Sequence, residues 1–227
     1  MRGKEMNFDE LKAKHERIKR KIKRKMEEFR TFGQQAGRDD LSAEVAYCIC
    51  TPQTPFEGCQ EAIKQLQGNR LLFSGDEDVI ALFLYRNRVR FHNVKGRRIK
   101  QTRAKLYDNG CPNPILKLVR ELLTMPQSSA RDRLYEIWVP GLGMKESSHF
   151  LRNIGHGDDL AMLDRHILQK LQEFRVVKTV PKTLTLGTYI GIEEKMRRWA
   201  KQIRILLGEL DLLLWSEGTG EMLETLK

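Results

Sequence analysis

Residues 134–166 read LYEIWVPGLGMKESSHFLRNIGHGDDLAMLDRH. A helical pattern over 129–138 closes at Val139-Pro140, and a second helix starts at Met144. Between them Gly141-Leu142-Gly143 makes a tight turn, because two glycines permit positive φ and let the backbone approach a ligand closely. The second helix aims its free N–H groups outward, and its dipole makes that end an anion site suited to a phosphate. A helix–PGLG–helix unit is therefore a helix-hairpin-helix candidate, with Gly141 and Gly143 gripping a sugar-phosphate backbone without reading sequence. An ordinary corner between two helices fits the same residues.

Lys145 falls in the first turn of the second helix, where a cation opposes the helix dipole and contributes nothing as a cap. That field favours the uncharged amine, and an uncharged lysine is a nucleophile able to form an imine. A surface lysine that only adds to phosphate binding fits the position equally. Further on, Asp164 precedes Arg165-His166-Ile167 as a helix N-cap. A cap fixes the carboxylate's orientation, so the same group can face Lys145 across a cleft and stabilise positive charge developing on a sugar ring. Asp158 and Asp159 compete for that role from a Gly-flanked loop that reads as more mobile.

Outward from this segment, short capped helices follow one another. Phe8, Leu11, Ile18, Ile22, Met26 and Phe29 recur at helical steps over residues 8–32, and nine basic residues lie between Lys12 and Lys25 with only Glu16 opposing them. Such a block either contacts phosphates or forms a solvated face. Residues 33–40 read as a connector, with Asp39 or Asp40 capping LSAEVAYCIC, which stops at Thr51-Pro52. Thr54-Pro55-Phe56-Glu57 reads as a capping box for a helix ended by Gly68, and Ser74-Gly75-Asp76-Glu77 opens another. From Arg86 to Lys105 there are nine basic residues and no acid, set around Phe91, His92 and Asn93. This region can contact phosphates and stack a base, or Phe91 can anchor a core beneath a solvated loop. Further helices are expected over roughly 114–124, 129–138 (started by Ser128 or Ser129), from near Asp164, over 188–207 and at GELDLLLW. The chain reads as all-α, with about ten helices. Two helical lobes with a DNA-binding cleft between them are expected, one over 38–157 holding the hairpin at about 134–154, the other built from 1–37 and 158–227.

Composition narrows the class. The 227 residues can bury an adequate core, and 40% hydrophobic with 31% charged residues is a globular rather than a disordered balance. No apolar run approaches the ~20 residues that span a bilayer. MRGKEMNFDEL has no apolar h-region and no small-residue cleavage site, so an intracellular, non-membrane protein is expected. Cys48, Cys50 and Cys59 cluster, with Cys111 apart, but no second ligand pair follows at zinc or iron–sulfur spacing, so they read as small buried residues rather than metal ligands. Forty-one Lys and Arg against thirty Asp and Glu leave a net charge of +11, which predicts attraction to a polyanion such as nucleic acid.

PGLGMKESSHFLRNIG followed by DLAMLDRHIL resembles the helix-hairpin-helix DNA glycosylase superfamily. Within it, the match from Val139 to Leu168 is most similar to the type 2 8-oxoguanine DNA glycosylase/AP lyases, with weaker echoes in RFHNVKGRRI at 90–99 and in LLLW and the final lysine. The resemblance implies a bifunctional base-excision repair enzyme acting on oxidised guanine in double-stranded DNA. Lys145 would attack C1′ of the damaged nucleotide, Asp164 would assist by charge stabilisation or proton handling, and β-elimination would nick the strand. The target base must leave the helix to be reached. Lys227, through its free carboxylate, would contact the base, with Trp215 helping to form the pocket and Phe91 a further candidate lining residue. The tail between Trp215 and Lys227 is longer than the family pattern. No metal or organic cofactor is needed, since the lysine supplies the nucleophile, and no cysteine beyond Cys111 is present for the iron–sulfur cluster of endonuclease III-like relatives. A monomer is expected, in the cytoplasm at the nucleoid. The competing readings are a non-catalytic helix-hairpin-helix DNA-binding module, a glycosylase for other oxidised bases, and a hydrolytic enzyme in which Asp164 activates water.

Overall fold

The computed structural model describes residues 8–107, 114–137 and 139–219. Among them are twelve helices and no strand: α1 (Phe8–Gln35), α2 (Arg38–Cys50), α3 (Phe56–Gly68), α4 (Leu71–Ser74), α5 (Glu77–Arg86), α6 (His92–Tyr107), α7 (Pro114–Leu123), α8 (Gln127–Glu136), α9 (Met144–Asn153), α10 (Arg165–Glu173), α11 (Leu186–Ile203) and α12 (Leu207–Thr219). No described helix is long and apolar enough to cross a membrane. The chain separates into two compact units, residues 1–34 with 151–227, and residues 35–150. Sequence reading placed these limits at 37/38 and 157/158. The units divide at 34/35, within α1, and at 150/151, within α9.

In the unit of residues 35–150, α2 is the central element. It is buried continuously from Leu41 to Cys50, and α3, α4, α6 and α7 pack around it. A helix apolar on every side has no solvent face to keep. Its start differs from expectation: Gly37 is the N-cap, and Asp40 lies in the first turn with Oδ2 accepting the Gly37 N–H at 3.0 Å. Thr54 does not cap α3, because its hydroxyl accepts from Lys95 Nζ at 2.8 Å. Likewise α8 starts directly after Pro126 rather than at a serine cap.

In the other unit, α1 buries Leu11, His15, Ile22, Met26 and Phe29 along one side. The buried His15 Nε2 and Glu209 Oε2, 2.8 Å apart, tie α1 to α12, which packs in turn on α10 and α11. The expected connector at residue 33 is absent, since α1 continues to Gln35. Gly33 is needed for a close approach: a Cβ there would collide with the Ile154 carbonyl oxygen. Gly155 lies against the Arg30 backbone with φ +76°, a conformation that glycine adopts without strain.

In an open helix, Gly→Ala stabilises by up to about 1 kcal/mol. Gly191, on α11 with nothing within 4 Å of an added Cβ, is expected to follow that rule. Gly33→Ala must displace backbone, so thermal unfolding should show a loss of about 1–3 kcal/mol. The two variants should therefore move the transition temperature in opposite directions.

Candidate active site

The hairpin forms as its residues dictate. After α8, the Leu142 N–H donates to Val139 O at 2.9 Å, and Gly141 takes φ +93°. A Cβ on Gly141 would meet Arg98 Cδ at 2.9 Å and Ile49 Cγ2 at 3.3 Å, so the turn is pressed against α6 and α2 with no room for a side chain. The first turn of α9 is closed by a carboxylate, for the Gly143 N–H donates to Glu146 Oε2 at 3.2 Å. The other oxygen of Glu146 lies 3.4 Å from Lys145 Nζ. Lys145 is thus on the first turn of α9 as the sequence predicts, three-quarters buried, with its ammonium beside a carboxylate that the sequence reading passed over.

Lys95 is the second charge in this unit that sequence reasoning misassigned. Counted among the phosphate-seeking basic residues, it is in fact buried, 3% exposed. Its Nζ donates to Cys50 O at 2.7 Å, to Pro52 O at 2.8 Å and to the Thr54 hydroxyl at 2.8 Å. All three ammonium protons are therefore used. Burial pulls Lys95 below the usual lysine range, opposed by Cys50 and Cys59 and aided by the positive charges of Arg98 and Lys145. The clamp holds the 50–54 loop with Gln53 exposed at its tip, in a left-handed conformation of φ +56°. The neighbouring thiols Cys48, Cys50 and Cys59 are all buried. A hydrogen bond with the Cys50 thiol, together with burial, pushes Cys59 upward. Cys111 lies outside the described residues.

Phe91 is no core anchor. It is 54% exposed, adopts φ +57° and carries the Arg90 guanidinium 5.8 Å from its ring centroid. A bulky residue in the left-handed region is strained and is retained where the surrounding structure demands it. Next to it, His92 meets the exposed Tyr85 with ring centroids 5.0 Å apart.

The unit of residues 1–34 and 151–227 carries Asp164. As expected it is the N-cap of α10, with Oδ1 accepting the Ile167 N–H at 2.8 Å. The segment leading to it is tied down at every step. Arg30 Nη2 pairs with Asp158 at 2.7 Å, and Arg197 binds Asp159 through both its carboxylate (3.0 Å) and its carbonyl (2.9 Å). Both of these aspartates, the expected competitors of Asp164, are paired with arginines. The Ala161 N–H donates to Glu193 Oε1 at 2.9 Å, the Tyr189 hydroxyl donates to Ala161 O at 2.6 Å, and the Met162 N–H donates to Asp211 Oδ1 at 2.8 Å. Burial raises Asp211 to about 7, with Asp164 and Glu193 adding to the rise and Arg152 and the Met162 N–H opposing it. Because this value lies above the ordinary carboxyl range, the group favours the folded state most at acid pH. That contribution is lost as pH rises through about 7. Trp215, on α12, is half-buried, while Lys227 lies outside the described residues.

Lys145 and Asp164 thus belong one to each unit, each on the first turn or cap of a helix. Glu146, Lys95, Glu193, Tyr189 and Asp211 were missed. For Asp211 the signal was present in LLGELDLLLW, where two acids interrupt an otherwise apolar run and must be buried with partners.

The 8-oxoguanine DNA glycosylase family profile matches residues 22–205, a span that takes in both Lys145 and Asp164. A relative in Fusobacterium nucleatum named 8-oxoguanine DNA glycosylase/AP lyase is 33% identical, with 94% of this chain and 95% of that one covered. The crystal structure of the Thermotoga maritima 8-oxoguanine DNA glycosylase is 28% identical, covers 94% of this chain and 96% of its own, and superposes with a TM-score of 0.80. The Methanocaldococcus jannaschii 8-oxoguanine glycosylase/lyase, crystallised with a 15mer DNA containing 8-oxoguanine, gives 0.82 at 28% identity, covering 97% of this chain and 99% of that one. These relatives and structures place the fold among DNA repair glycosylases. The chain belongs to the 8-oxoguanine DNA glycosylase family.

Replacing Lys95 by Met keeps the side-chain volume but orphans three buried acceptors. Urea unfolding should show a loss of about 2–5 kcal/mol.

Proposed function

We propose that this protein excises 8-oxoguanine from duplex DNA and then cuts the abasic site by β-elimination. The observation that carries this is the family match running through both Lys145 and Asp164, supported by relatives named for both activities. Lys145 Nζ, having given up a proton, attacks C1′ as the bond from C1′ to the base breaks, and the base leaves with the electron pair and takes up a proton. Opening of the sugar ring gives an imine between Nζ and C1′. Loss of a C2′ proton then expels the 3′ phosphate, which is the strand cut. Asp164, oriented by its cap hydrogen bond, faces the positive charge that develops on the sugar. Gly141 and Gly143 bring the hairpin backbone close to the DNA phosphates. The exposed Phe91, with Trp215 and the carboxylate of Lys227, is assigned to the pocket for the extruded base. The working partner is double-stranded DNA carrying oxidised guanine, met by a monomer at the nucleoid.

Borohydride should trap a covalent adduct between the wild-type protein and an 8-oxoguanine duplex, and Lys145→Gln should abolish both adduct and nick. A protein that only binds DNA would give neither, and a hydrolytic one would release the base without an adduct. Deleting Lys227 should remove base excision while leaving cleavage of a preformed abasic site. Equal loss of both would take base recognition away from the tail.

A further inference from the structure

Among the described residues, Asp211 is the most deeply buried carboxylate outside the reaction as described, 1% exposed on α12. Its surroundings are charged on three sides: Arg152 from α9, Asp164 at the cap of α10, and Glu193 from α11. On its own helix, Glu209 is occupied by His15 of α1. One oxygen of Asp211 accepts the Met162 N–H at 2.8 Å, and the other lies 3.8 Å from Arg152 Nη1. Met162 in turn receives the Asp164 N–H on its carbonyl at 2.6 Å. A short path therefore runs from the Asp211 carboxylate through one residue, Met162, to the backbone of Asp164, whose side chain then caps α10. An apolar core would place α12 against this segment at less cost, because a buried carboxylate must be repaid in hydrogen bonds and counter-charge. The packing of α12 therefore does not explain why a carboxylate stands at residue 211.

We propose that Asp211 is a positioning residue for Asp164, its carboxylate anchoring the Met162 backbone and thereby fixing the segment that presents Asp164 to the reacting sugar. This rests on Asp164 being the carboxylate that serves excision. Asp211 touches neither the base nor the sugar. Its effect is on how narrowly Asp164 is held, and displacements of about 1 Å at such a group can cost up to ~100-fold in rate.

The test is single-turnover excision of 8-oxoguanine, with lesion-duplex affinity measured alongside, by the wild type, Asp211→Asn, Asp211→Ala and Asp164→Asn. Asp211→Ala should lower the excision rate roughly 10–100-fold while lesion-duplex affinity stays within about twofold. Asp211→Asn retains an acceptor for the Met162 N–H, so it should rescue the rate to within about threefold of wild type. A fully active Asp211→Ala, or an Asp211→Asn as slow as Asp211→Ala, overturns the proposal. Should Asp211→Ala fail to fold, Asp211→Leu, which fills a similar volume and accepts no hydrogen bond, takes its place with the same outcomes. Excision at the wild-type rate by Asp164→Asn would instead remove the reading on which the proposal rests. An inactive Asp164→Asn beside a fully active Asp211→Ala removes only the positioning role.

Discussion

A polar group buried inside a protein costs free energy unless hydrogen bonds answer it, and in each unit of this chain such groups hold the backbone of a loop. In residues 35–150 it is the Lys95 ammonium, which spends its three protons on the 50–54 loop and so joins α6 to the end of α2. In the other unit it is the acidic pair Glu193 and Asp211, which take the N–H groups of Ala161 and Met162. Hydrophobic burial supplies the bulk of the stability in both units, yet it is indifferent to the register of a loop. The hydrogen bonds are directional, and they are what set the backbone of the segments flanking the chemistry.

The two side chains assigned to the reaction are held by different means. Lys145 stands on the first turn of α9, with its Nζ 3.4 Å from Glu146 Oε1. Glu146 also closes the first turn of α9 through Gly143, so the carboxylate serves the helix and the lysine together. Asp164 has its orientation fixed by the Ile167 N–H and its backbone by Met162. Its neighbours Asp158 and Asp159 are each paired with an arginine. The same short piece of chain thus contains three aspartates with three separate duties.

Much of this was legible in the sequence, and the exceptions have a common cause. PGLG with its lysine, the cap at Asp164 and the order of the helices follow from local chemistry: glycine conformations, capping and apolar spacing. The misreadings arose where a residue's partner is far away in the chain. Gly33 read as a connector because the Ile154 carbonyl that excludes a side chain is remote in sequence. Lys95 read as one more basic residue because its acceptors lie in another loop. Thr54 read as a cap because nothing local showed that its hydroxyl is taken by Lys95. Composition located the charge, and only the fold could say which charges are spent on the interior.

Of all the lysines, the chemistry requires one with an amine open to the sugar, and Lys95, with its three protons engaged, is excluded by the same hydrogen bonds that make it structural. Digesting the borohydride-reduced DNA adduct of the wild-type protein and sequencing the modified peptide identifies the nitrogen bonded to C1′. The label should lie on Lys145 alone. A label on Lys95, or spread over the exposed lysines of α1, would contradict the assignment of the hairpin lysine as nucleophile.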